Sequence, residues 1–223
     1  MIQIQKIADA VRVYFQRKTK ARHTVNILSG PKRETWFSAE MFVAISALQP
    51  KGSKRKTSRS VKFAVYGEQS LSRLDKRLKG LRKRPDIVVF DPSKLQGSPK
   101  DPAVSALIEV KLFRTNENNI KEINKLASQL ESAANAITTA TVAGVVFVAS
   151  VPVRTPGLHQ RAVDEIRQAI EQALPDADYE WVDGHDLAEL IPLRQNSLGY
   201  PDDWAILNMG VRVRRAQTTS PAP

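Results

Sequence analysis

Two short stretches hold the residues whose types and spacing suit chemistry. One is Arg84-Pro85-Asp86-Ile87-Val88-Val89-Phe90; the other is Leu107-Ile108-Glu109-Val110-Lys111-Leu112. Each reads as a strand, because β-branched and aliphatic residues dominate both. Alternation along the second puts Leu107, Glu109 and Lys111 on one face and Ile108, Val110 and Leu112 on the other. Charges inside an apolar strand are costly unless paired or used. Asp86 and Glu109, on neighbouring strands, would offer two converging carboxylates to a hard cation such as magnesium. Such a cation takes one or two carboxylates and leaves its other positions to water and substrate. It would polarise a phosphate and activate water, the needs of phosphodiester hydrolysis. Lys111 shares the face of Glu109, so its ammonium would orient the water or offset charge building on the phosphate.

The same residues admit plainer roles. A chain this long holds about one Glu-x-Lys by chance. Asp86 could cap a turn after Pro85, and Glu109 with Lys111 could form an ion pair on a solvated face. The context favours chemistry: both charges of the second stretch sit in an apolar strand, and Asp86 opens another strand able to pair with it.

The elements that would position these groups follow from periodicity. Helices are predicted over residues 2–16, 35–48, 68–80, 117–138 and 157–173, with a short one over 186–190. Strands are predicted over 61–66, 86–90, 106–113, 142–149, 179–182 and 204–214, with a short strand or loop over 24–30. The run VAGVVFVA at 142–149 is apolar throughout, so it should lie centrally and be buried on both faces. The connection from 86–90 to 106–113 should be an antiparallel hairpin. The long helix after it should return the chain parallel to 106–113. The expected fold is α/β, a mixed central sheet flanked by helices, in a single domain over residues 1–215. Its core would span about 36–150, and the tail 216–223 is expected to be disordered.

Charge points to the partner. The 223 residues carry a net +11, and residues 1–90 alone hold 21 Lys and Arg against 6 Asp and Glu. Residues 91–223 hold 13 against 17. So basic a half suits a polyanion, and nucleic acid is the commonest one. The loop 51–59 contains Lys54, Arg55 and Lys56. Residues 73–84 contain Arg73, Lys76, Arg77, Lys79, Arg82, Lys83 and Arg84, running directly into Pro85-Asp86. This segment could track a phosphate backbone toward the carboxylates, or be only the solvent face of a helix. No aromatic residues interleave with it, so base stacking on this basic surface is not indicated.

Other chemistries find little support. There is no cysteine, hence no disulfide or thiolate metal site. His23, His159 and His185 show no ligand spacing, and there is no P-loop, dinucleotide glycine motif or zinc signature. No run of apolar residues is long enough to span a bilayer, and the N-terminus lacks a signal-peptide pattern, so the expected compartment is the cytoplasm.

With Pro85-Asp86 and Glu109-Val110-Lys111 in this order, the chain resembles the PD-(D/E)xK, or restriction-endonuclease-like, nuclease superfamily over about residues 36–150. The resemblance implies a core of one helix, three antiparallel strands, a second helix and a further strand. It implies that Asp86, Glu109 and the backbone carbonyl of Val110 bind magnesium or manganese, and that Lys111 assists the water. Glu40 matches the acidic residue that many members place on the first core helix, with Glu68 as its rival. Gln129 matches a polar residue that some members carry on the helix after the Glu-x-Lys strand. No tyrosine follows it four residues on, since position 133 is Ala, a departure from one branch of the family. The implied activity is a metal-dependent nuclease, DNA favoured over RNA, with a homodimer or a larger assembly as its setting. The alternative is a subunit that keeps the fold and binds nucleic acid without cutting, in a defence or transposition complex.

Overall fold

The computed structural model describes residues 4–17, 33–48, 64–74, 76, 84–90, 103–115, 117–149, 156–182, 188–192 and 206–215. The expected strand or loop at 24–30, the basic loop at 51–59 and the tail 216–223 lie outside the described residues.

The elements in chain order are α1 (Ile4–Phe15), α2 (Arg33–Ser46), β1 (Ala64–Gly67), α3 (Leu71–Leu74), β2 (Ile87–Phe90) and β3 (Val104–Arg114). They continue with α4 (Ile120–Ala136), β4 (Thr141–Ala149), α5 (Pro156–Ala173), β5 (Tyr179–Trp181), β6 (Ala188–Pro192) and β7 (Ile206–Arg214). The strands form one mixed sheet in the order β1-β2-β3-β4-β7-β5, with β6 also paired to β7. β1, β2 and β3 form an antiparallel meander, and β4 runs parallel to β3 after the crossover through α4.

Strand periodicity sets the two cores. Ile87, Val89, Ile108, Val110, Val145 and Phe147 pack against α1 and α2, whereas Val88, Leu107, Phe113, Val146 and Val148 pack against α4 and α5. β4 is buried from Val142 to Ala149 and lies between β3 and β7, which explains why its sequence does not alternate. Phe15, Phe37 and Phe147 form an aromatic knot, with the Phe37 and Phe147 ring centroids 4.4 Å apart. Each such contact is worth about 0.5–1.5 kcal/mol beyond its buried area. The knot fastens α1 and α2 to the sheet centre and so fixes the start of α2.

Of the helix expected over 68–80, the described residues show an α-helix at Leu71–Leu74, with 68–70 outside it. Another expected element takes a different form. A helix is expected over 186–190, but Ala188–Pro192 is a strand antiparallel to β7. One helical turn fixes several residues for a single hydrogen bond. The edge of β7 instead offers a ladder for backbone groups that need partners.

Candidate functional site

β3 is far longer than β2, and the site forms where β2 begins. Ile87 pairs with Ile108, so the register carried one residue further sets Asp86 opposite Glu109. Beyond this point β3 continues to Arg114 with β4 on one side and no β2 on the other. The Asp86 side chain occupies that notch, its Oδ2 accepting from the Val110 backbone N–H at 2.7 Å. The Asp86 carbonyl accepts from Glu68 N–H at 3.0 Å, which ties β1 into the same row. Glu68 adopts φ 46°, a left-handed conformation uncommon outside glycine.

Continuing the row, Gly144 of β4 stands beside Glu109. A Cβ at Gly144 would come within 3.1 Å of Leu130 Cδ1, so the missing side chain is what lets α4 press onto the sheet here. Glu109 is therefore walled in, at 6% exposure, with Asp86 across from it at the start of the neighbouring strand. Burial and then the Asp86 charge push its carboxyl up to about 8; Lys111 opposes this. Burial also raises Asp86, the Val110 N–H opposes the rise, and Glu34 adds to it. At neutral pH, burial and the Asp86 charge favour a protonated Glu109.

Lys111 is 2% exposed, yet its ammonium is held by Glu34 Oε1 at 2.6 Å and Glu122 Oε2 at 3.5 Å. Burial alone would lower this lysine, but the hydrogen bond and charge of Glu34, then Glu122, hold it above the ordinary value. It therefore stays a cation at neutral pH, suited to stabilising negative charge and not to taking a proton. Glu34 lies in the first turn of α2 and Glu122 in the first turn of α4. The amide ends of both helices favour carboxylates there. Two carboxylates, Glu34 and Glu122, thus hold this one lysine.

The structure brings Asp86, Glu109 and Lys111 together but leaves Glu40 out of this hydrogen-bonded set. Glu40 Oε2 accepts from the Tyr14 hydroxyl of α1. Glu34 and Glu40 are six residues apart, so they point about 120° away from each other around α2 and lie about 9 Å apart along it. Sequence reasoning missed Glu34 because starting the helix at residue 35 left it outside; α2 begins at Arg33. Glu122 was missed because an acid in a first helical turn is ordinary. Glu68 adjoins Asp86 through its backbone and raises the Asp86 carboxyl by its charge. Gln129 lies two turns along α4 from Glu122, and its side-chain oxygen is buried with no hydrogen-bond partner.

No protein-family model, curated protein sequence or solved structure gives a significant match to this chain. The site must be read from its own geometry.

As a metal centre the set is partial. Among the described residues, no three His, Cys, Asp or Glu side chains form a group that could hold a metal ion by themselves. Two converging carboxylates still suit magnesium, which keeps several waters and completes its shell with substrate. Of the expected polyanion contacts, Arg73, Lys76 and Arg84 are exposed. Lys54, Arg55, Lys56, Arg77, Lys79, Arg82 and Lys83 lie outside the described residues. A second buried charge, Arg212, donates to the Leu174 carbonyl at 2.5 Å and to Asp176 at 2.7 Å, beside the Trp181 ring. It ties β7 to the C-terminal end of α5, a structural use of a cation.

Proposed function

We propose that the chain is a metal-dependent nuclease of the PD-(D/E)xK type, acting on DNA in preference to RNA. The observation that carries this reading is the face-to-face placement of Asp86 and Glu109, with Lys111 buried beside them as a cation. A cation there would offset the burial and the Asp86 charge that together push the Glu109 carboxyl up. The element order supports the reading too: α2, the antiparallel β1-β2-β3, α4, then β4 parallel to β3.

Asp86 and Glu109 would hold magnesium or manganese. The Val110 carbonyl would be a third donor, since its N–H faces Asp86 and both polar groups of an extended residue leave on the same side. When bound, the ion polarises the phosphate and lowers the pKa of a water. The chain's own residues do the rest. Asp86 and Glu109 set the ion on two hydrogen-bonded strands, a stiff platform. Lys111 stays protonated between Glu34 and Glu122, directing its charge at the developing phosphate anion. Arg73, Lys76 and Arg84 supply exposed positive charge on the segment leading to Asp86.

The test is calorimetric titration of manganese into the wild type and into Asp86→Asn, paired with incubation of plasmid DNA. Wild type is expected to bind the ion and nick the plasmid, and Asp86→Asn to do neither. Metal binding that survives Asp86→Asn overturns the assignment. Metal binding with no cleavage of any DNA or RNA favours the non-cutting subunit of a larger assembly.

A further inference from the structure

A cleft of about 580 Å³ opens between α2 and the edge strand β1 and ends on Asp86. One wall is Thr35, Ser38, Ala39, Phe42 and Val43 of α2. The other is Val65 and Gly67 of β1, continuing through Glu68 and Gln69. We infer that this cleft receives one unstacked base of the polynucleotide, next to the phosphate that reaches Asp86 and Glu109.

Charge decides which part of a nucleotide would enter. The cleft is lined mainly by apolar surface from Ala39, Phe42, Val43 and Val65, and its polar lining includes two acids, Glu68 and Asp86. Away from the cation that Asp86 and Glu109 would hold, these acids repel a phosphate, whereas a neutral heterocycle is unaffected. Apolar walls with a few polar groups at the edges are what small planar ligands select. Phe42 supplies an aromatic ring, and Thr35 and Gln69 supply hydrogen-bonding groups. Aromatic contacts of this kind hold single-stranded bases with little regard to sequence. A base in this cleft has left its helical stack, which costs least at a mismatch, flap or single-stranded end. Strands with unpaired bases are therefore the preferred substrate, a conclusion that rests on the nuclease reading.

The test compares binding of two short labelled DNA strands of equal length, one ordinary and one abasic throughout, so that both carry the same phosphate charge. Fluorescence anisotropy in calcium buffer reads affinity. The wild type is expected to bind the ordinary strand about tenfold more tightly. Ala39→Trp fills the cleft from an exposed helical position and is expected to abolish the difference while circular dichroism stays unchanged. Thr35→Trp, also at an exposed position, serves if the first variant misfolds. Equal affinity of wild type for both strands overturns the inference, as does a preference that survives the filled cleft. A base preference in a protein that never cuts removes the nuclease reading and leaves the binding site; cutting without a base preference does the reverse.

Discussion

The Val110 backbone N–H donates to Asp86 Oδ2 at 2.7 Å, at the place where β2 begins and β3 runs on without it. A side chain thus takes the acceptor position that a neighbouring strand would have filled. The same bond sets Asp86 beside Glu109, so the end of the sheet and the site are one feature. Removing the Asp86 carboxylate therefore touches both local folding and chemistry. Asp86→Asn, which keeps an acceptor oxygen, is the better probe than Asp86→Ala.

The protonated Glu109 makes metal-free stability fall as pH rises. Its folded value is about 8 and its ordinary value 4.5, so between these the unfolded chain binds fewer protons. The contribution is fully present below pH 4.5 and is lost as pH climbs to about 8. A shift of this size corresponds to at most about 5 kcal/mol. Urea midpoints at pH 5, 6.5 and 8 in EDTA should decline, and Glu109→Gln should flatten the decline. Equal slopes for the two proteins would show that Glu109 titrates normally.

Glu34 and Glu40 should separate cleanly. Glu34→Gln removes a partner of Lys111 and is expected to lower the cleavage rate at least tenfold. Glu40→Gln loosens the α1–α2 contact at Tyr14 and should leave that rate within twofold while lowering stability by about 1 kcal/mol. Tyr14→Phe and Glu40→Gln should cost less together than the sum of the two alone, because they share one hydrogen bond. Unchanged cleavage in Glu34→Gln would remove it from the site.

Much of this was legible in the sequence. Alternation in Leu107–Leu112 gave the correct faces, because an extended strand has a fixed period of two. The unbroken apolar run of β4 gave its central position. The partners of Lys111 were not legible. Which helical acid reaches a strand lysine depends on where the helix starts and how it docks, and docking is set by the distant Phe15, Phe37 and Phe147 contacts. Likewise, β6 takes its form from the open edge of β7 and not from its own residues.

Gln129 carries a buried amide oxygen without a partner, which costs about 1–3 kcal/mol. Gln129→Met, close in shape, should therefore raise the urea midpoint by the equivalent of about 1 kcal/mol. If the amide serves the substrate, cleavage falls as stability rises. A destabilised Gln129→Met would mean that the amide is satisfied in solution.

Exposed Arg73, Lys76 and Arg84 should govern the salt dependence of binding. Replacing all three by Ala should reduce the slope of log affinity against log salt by about 2 to 3, uniformly across DNA sequences. An unchanged slope would place the backbone contact elsewhere.

The most direct measurement is cleavage of linear single-stranded and plasmid DNA in magnesium by wild type, Glu109→Gln and Lys111→Met, with binding measured alongside. The account predicts cutting by wild type that EDTA stops. It predicts no cutting by Glu109→Gln, and at least a hundredfold slower cutting by Lys111→Met with affinity for DNA nearly unchanged. Folded Glu109→Gln and Lys111→Met proteins that cut at the wild-type rate would contradict it.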